Sequence, residues 1–131
     1  VNKYRSNLEF NVSELLGEKD GFTYEPCMYP YQIHKQYLPD FVHADEKILI
    51  ECKGFFRSGD TQKYKAIRDC LPDWELIFIL SSLKKKVRKN SNITMKEWCT
   101  KEGFMCYTIS SVHKLKEYIK DKQKCRSRLK S

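Results

Sequence analysis

The chain has 131 residues, 40% hydrophobic and 13% aromatic, which is enough for one domain with its own core. Its formal net charge of +8 suits a polyanionic partner, with nucleic acid ahead of a membrane surface and plain solubility as the simpler account. No apolar run approaches the roughly 18–20 residues of a membrane helix, no signal-peptide pattern opens the chain, and the start at Val1 rather than Met reads as a trimmed end.

Along the chain, Ser6-Asn7-Leu8-Glu9 fits a capping box, with a hydroxyl acceptor and a glutamate three residues on. Leu8, Val12, Leu15 and Leu16 then share one helical face, so a helix is expected from about residue 6 to 19. Phe22 to Tyr24 reads as a short strand. Residues 25–36, with Pro26 and Pro30, read as a stiff, extended connector. Leu38 to His43 and Lys47 to Lys53 read as two strands joined at Asp45-Glu46, and Gly54 ends the second. A helix over 60–70 is stopped by Leu71-Pro72-Asp73. Glu75 to Leu80 is a near-continuous apolar run, as in a buried central strand. A basic loop follows, then a second capping box at Thr94 and Glu97, a helix to about 102, a strand from Phe104 to Ile109 and a last helix opened by Ser110 or Ser111. From Lys120 the chain reads as a frayed basic tail. This order implies an α/β (α+β) fold with a central mixed sheet flanked by helices, residues 1–119 forming one domain and 120–131 a tail.

Six cysteines, at 27, 52, 70, 99, 106 and 125, form no C-x-x-C pair and no zinc-spaced cluster with histidine. Several sit in apolar patterns and read as reduced, buried thiols of a cytoplasmic protein, not as a disulfide scaffold. His34, His43 and His113 have no spaced partners and receive no role.

The hairpin carries the chemistry. With a two-residue turn at Asp45-Glu46, Asp40 falls opposite Glu51, and opposed residues hold their Cβ atoms about 4.5–5.5 Å apart. Two carboxylates there repel unless a cation sits between them, and a hard divalent ion takes oxygen ligands of this kind. Strand alternation puts Leu49, Glu51 and Lys53 on one face and Ile48, Ile50 and Cys52 on the other, so an ammonium emerges beside Glu51. A metal here would activate water, and the lysine would orient it or stabilise charge on a phosphate. An edge strand protected by charge is the competing account of Glu51 and Lys53. The register depends on the turn, because a slip of one residue moves Asp40 to the other face.

Pro39-Asp40 followed by Glu51-Cys52-Lys53 resembles the PD-(D/E)xK nuclease signature. Arg5-Ser6-Asn7-Leu8-Glu9, Tyr24-Glu25, Tyr37-Leu38-Pro39-Asp40-Phe41, Glu51-Cys52-Lys53-Gly54, Ile67-Arg68 and Phe78-Ile79-Leu80-Ser81-Ser82 extend the resemblance, in order and approximate spacing, to the phage endonuclease I family of Holliday-junction resolvases. The match covers most of residues 5–119. It implies a restriction-endonuclease-like core in a homodimer whose N-terminal segments, about residues 5–24, are exchanged. It also implies a composite catalytic site of Glu9 from one subunit with Asp40, Glu51 and Lys53 from the other. Two Mg²⁺ ions, with Mn²⁺ as substitute, would be held by Asp40, Glu51, the backbone carbonyl of Cys52 and Glu9. Branched double-stranded DNA would be cut to leave 5′-phosphate ends, in the host-cell cytoplasm. Without the resemblance, Glu9 is explained by helix capping alone. The interval from Asp40 to Glu51 is one residue longer than the family's, and Cys52 stands where Thr or Val is expected.

For DNA contact the resemblance and the charge together single out Arg5, Ser6, Arg57, Lys63, Lys65, Arg68, Lys84, Lys85, Lys86, Arg88 and Lys89. Two readings stand beside the resolvase. One is a less selective PD-(D/E)xK nuclease of host-DNA-degrading, restriction or homing type. The other is a basic nucleic-acid-binding module without catalysis.

Overall fold

The computed structural model describes residues 3–130. The chain divides into two units, residues 1–35 and 36–131. In the first unit, helix α1 spans Asn7–Leu15. Ser6 caps it, its hydroxyl accepting the Glu9 N–H at 3.1 Å. The return arm of the expected capping box is rerouted: Glu9 Oε2 accepts from the Arg5 N–H at 2.9 Å and from the Tyr24 hydroxyl at 2.9 Å. The helix stops short of residue 19, and a 3-10 turn follows at Glu18–Asp20. Gly21 closes that turn at φ 89°, a left-handed conformation that glycine adopts without steric cost. The strand expected at Phe22 to Tyr24 does not form. Tyr24 is turned instead to Glu9 and to the Tyr4 ring, with centroids 4.6 Å apart. Residues 26–39 carry no regular structure, as expected of the connector.

The second unit is a mixed four-stranded sheet, with β1 (Phe41–His43), β2 (Ile48–Lys53), β3 (Glu75–Leu80) and β4 (Met105–Tyr107) side by side in chain order. β1 and β2 are antiparallel, and β2, β3 and β4 are parallel. Helices α2 (Asp60–Cys70) and α3 (Met95–Glu102) make the two parallel crossovers. Both crossovers step the same way across the sheet with the same hand, so both helices land on one face. There Tyr64 of α2 and Trp98 and Cys99 of α3 pack on Leu49, Leu76, Phe78 and Leu80. Helix α4 (Val112–Lys130) covers the opposite face, where Leu115 meets Ile48, Ile50 and Ile77. The alternation of β2 is therefore as the sequence implied, Leu49 on one side and Ile48 and Ile50 on the other.

The hairpin keeps the expected register: Phe41 pairs with Ile50 and His43 with Ile48. Its loop is four residues, Ala44 to Lys47, instead of two. The widening adds one residue to each side, so the register is unchanged. Lys47 takes φ 54°, the left-handed residue that lets a turn without glycine close. The predicted box at Thr94 and Glu97 forms in both directions, at 3.1 and 3.2 Å. The expected frayed tail is corrected: α4 is helical through Lys130. Ser131 lies outside the described residues. The thiols are all free, yet only Cys99 is buried, while Cys27, Cys52, Cys70 and Cys125 are exposed. No helix of the described residues is long and apolar enough to cross a membrane.

Candidate active site

The C-terminal end of β2 brings three of the predicted groups together. Glu51 and Lys53 point to the face covered by α2, and the register of β1 carries Asp40 opposite Glu51. Asp40 is fixed by β2 itself: its Oδ2 accepts the Cys52 N–H at 2.8 Å. The carbonyls of Lys47, just before β2, and of Lys53, at its end, accept from Glu75 and Ser81 on the β3 side, so by alternation the Cys52 carbonyl faces β1. Continued two residues past β1, the hairpin register would set Pro39, which has no N–H to give, opposite it. A backbone oxygen on that side could then join the two carboxylates.

Glu51 is 8% exposed, a low value for a charged residue. The Tyr37 hydroxyl donates to its Oε1 at 2.6 Å. Burial pushes the Glu51 carboxyl above its ordinary value; the Tyr37 hydrogen bond opposes this and the facing Asp40 adds to it. Lys53 lies 3.4 Å from Asp60 Oδ2, its Nζ 5.3 Å from the centre of the Tyr64 ring. Burial works to lower the Lys53 pKa, but Tyr64 and Asp60 outweigh it and the pKa is raised, so the side chain is an ammonium at neutral pH. Asp60 opens α2 and also accepts the Arg57 N–H at 2.8 Å, which closes the loop between Lys53 and the helix. Among the described residues the buried Tyr64 hydroxyl has no aligned hydrogen-bond partner, and the charged Lys53 interacts with it.

Glu9 belongs to the first unit. Its carboxyl is held below the ordinary value, chiefly by the Tyr24 hydroxyl, with Arg5 assisting, and is therefore ionised. Arg5 itself is paired with Glu25.

The basic residues divide by what they touch. Arg57 and Lys85 both approach one exposed ring, Phe55, at 5.9 and 5.4 Å, which joins the cluster after β2 to the basic loop after β3. Lys65 and Arg88 line a cavity of about 490 Å³ between α2, that loop and α3, together with Lys101. Lys63 lies over the Tyr37 and Tyr64 rings at 5.7 and 5.4 Å. Lys84, Lys86 and Lys89 are exposed. Arg68 is occupied within the protein: it donates to the Glu102 carbonyl at 2.6 Å and pairs with Asp69 at 3.1 Å, tying α2 to the end of α3.

The family model for phage endonuclease I matches residues 1–130. The chain belongs to the phage endonuclease I family. It is 37% identical over 106 residues to Endodeoxyribonuclease 1 of Enterobacteria phage T3, covering 78% of this chain and 69% of that protein. It is 36% identical over 107 residues to Endonuclease I of Escherichia phage T7, covering 79% and 71%. The protein is thus a DNA-cleaving enzyme of the phage endonuclease type.

Within this phage-type endonuclease, the donor set fits a hard divalent cation. Among the described residues no three His, Cys, Asp or Glu side chains gather as a cage. Mg²⁺ does not ask for one, since it is commonly held by one or two carboxylates with water and substrate phosphates completing the shell. Asp40 and Glu51 could supply two carboxylates and the Cys52 carbonyl a third oxygen, and the pKa of the Glu51 carboxyl is raised by burial and by the facing Asp40.

Two supporting residues escaped the sequence reading. Tyr37 stands within the motif Tyr37-Leu38-Pro39-Asp40-Phe41, just after the connector, and was given no role of its own. Asp60 is the first residue of the helix expected over 60–70, a place where an acid is common for helix stability alone. The one signal available was position, since each lies on a segment flanking the signature.

Proposed function

We propose that this endonuclease hydrolyses phosphodiesters at four-way (Holliday) junctions and other branched DNA, with Mg²⁺, as a homodimer that exchanges its N-terminal segments. The observation that carries the reading is the buried Glu51 facing Asp40, with Lys53 on the same strand face. Asp40, Glu51 and the Cys52 carbonyl, with Glu9 of the partner subunit, would hold two Mg²⁺ ions. When bound, such ions activate water and stabilise the entering and leaving oxygens of an in-line displacement. Lys53, as an ammonium, donates to phosphate oxygens as negative charge accumulates on them. Asp60 keeps Lys53 cationic and in place. The products carry 5′-phosphate ends.

The exchanged dimer is supported by the apolar surface of the first unit. α1 has no buried residue, and Leu8 and Leu15 are 72% and 78% exposed. Tyr29, Tyr31 and Ile33 of the connector are exposed as well. A second copy is the occupant such a surface suits. DNA contact falls to Arg57, Lys63, Lys65, Lys84, Lys85, Lys86, Arg88 and Lys89. Arg5, Ser6 and Arg68 have intramolecular partners and weigh less. Contacts of this kind hold phosphates and select by branch geometry and deformability, not by base identity.

The test is cleavage of a four-way junction and a matched linear duplex, each with Mg²⁺ and with chelator. Paired nicks near the branch that need Mg²⁺ support the proposal. Equal cutting of the linear duplex favours a less selective nuclease. Cutting that persists in chelator and in Asp40→Ala removes the metal site from the reaction.

A further inference from the structure

We propose that the Tyr37 hydroxyl is a positioning group that fixes the Glu51 carboxylate for cation binding; this rests on the metal reading of the site given above. Tyr37 donates to Glu51 Oε1 at 2.6 Å, a short, charge-assisted bond. A carboxylate held at one oxygen keeps its second oxygen directed and its lone pairs available. Tyr37 is itself held. Its ring packs against the core cluster and meets Tyr64 edge-on, with centroids 6.3 Å apart and planes at 79°. Lys63 lies over its face at 5.7 Å.

The segment from Tyr37 to Asp40 is therefore fastened to β2 at two neighbouring points. Tyr37 donates to the side chain of Glu51, and Asp40 accepts from the backbone of Cys52. One short stretch thus aims both carboxylates: it contributes the first and orients the second. Without the hydroxyl, a buried Glu51 facing Asp40 has two easy escapes, rotation away or uptake of a proton. Outer partners of metal-binding side chains act in this way, and their loss typically costs about 10–100-fold in metal affinity or activity.

Tyr37→Phe removes only the hydroxyl and keeps the ring packing. Calorimetric titration of the DNA-free protein with Mn²⁺ is expected to show affinity weakened about 10–100-fold. The Mg²⁺ concentration for half-maximal cutting should rise in step, with the rate at saturating Mg²⁺ largely recovered. A purely structural tyrosine would lower the melting temperature and leave the metal dependence where it was. A second variant separates the cases if Tyr37→Phe is poorly stable. In a Glu51→Gln background the same change should have no further effect on Mn²⁺ affinity, because the carboxylate it serves is gone. Wild-type Mn²⁺ affinity in Tyr37→Phe, with binding lost in Asp40→Ala and Glu51→Ala, overturns this inference and leaves the metal site standing. Unchanged Mn²⁺ binding in Asp40→Ala and Glu51→Ala overturns the metal site and the inference with it.

Discussion

The β1–β2 hairpin is anchored from its far end, and the anchor has a measurable asymmetry. Glu46 sits in the loop between β1 and β2 with its side chain 4% exposed, and Arg126 of α4 reaches it at 2.8 Å while remaining 44% exposed. The contact is close but not directed along an N–H, so it is an attraction of charges more than an aligned hydrogen bond. Lys122 adds a bond from Nζ to the Glu46 carbonyl at 3.4 Å and pairs with Glu75 at 3.4 Å. Removing one partner of a fully buried pair costs about 3–5 kcal/mol, and exposed pairs contribute about 0–1 kcal/mol. Arg126→Met strands a buried carboxylate and should cost about 2 kcal/mol, between those limits. Glu46→Gln leaves an arginine with access to water and should cost less than about 1 kcal/mol. In a domain of this size the first change lowers the melting temperature by about 6–8 °C. The double variant should recover much of that loss, since no buried charge is left alone. Thermal and urea unfolding of the four proteins reads the cycle. Equal costs for the two single changes, adding in the double, would refute the anchoring and return this end of α4 to a free basic arm.

Three further outcomes are expected. Lys53→Ala should bind junctions as before and cut at least about a hundredfold more slowly, as for other lost electrostatic groups, and normal cutting would remove Lys53 from the mechanism. Glu51 has a folded-state pKa raised by burial and by Asp40 against the Tyr37 bond, so the stability it lends is complete below its ordinary value of 4.5 and is lost as pH rises through the raised value. Metal-free Glu51→Gln should therefore melt above the unsubstituted protein at neutral pH, with the gain fading toward pH 4.5, and a lower melting point at neutral pH would contradict the shift. Mixing Glu9→Ala with Asp40→Ala chains should restore cutting, because a mixed dimer regains one intact exchanged site; no recovery after verified heterodimer formation counts against the exchange.

Much of the second unit was legible because its signals were local and strong. The apolar run Glu75 to Leu80 has no reading but a buried strand, and Thr94 with Glu97 carries its own cap. The hairpin register survived a wrong turn length because the error was symmetric. Tyr24 was misread since an aromatic pair flanking a threonine has strand propensity, while a hydrogen bond to Glu9 decides its place. The stretch after Lys120 looked frayed because its anchor, Glu46, lies 76 positions from Lys122 in sequence. The tie between Arg68 and Glu102 was hidden for the same reason, the two being 34 residues apart. Tyr37 and Asp60 were invisible as site residues because what they hold becomes adjacent only when the sheet and α2 assemble.

The most direct measurement is the anomalous signal of Mn²⁺ in crystals grown with the metal. The expected result is a manganese peak in contact with the carboxylates of Asp40 and Glu51 and the carbonyl of Cys52, absent from Asp40→Ala crystals. A saturating soak that leaves this place empty, with the two acids turned away from each other, would contradict a cation-dependent site built on the hairpin.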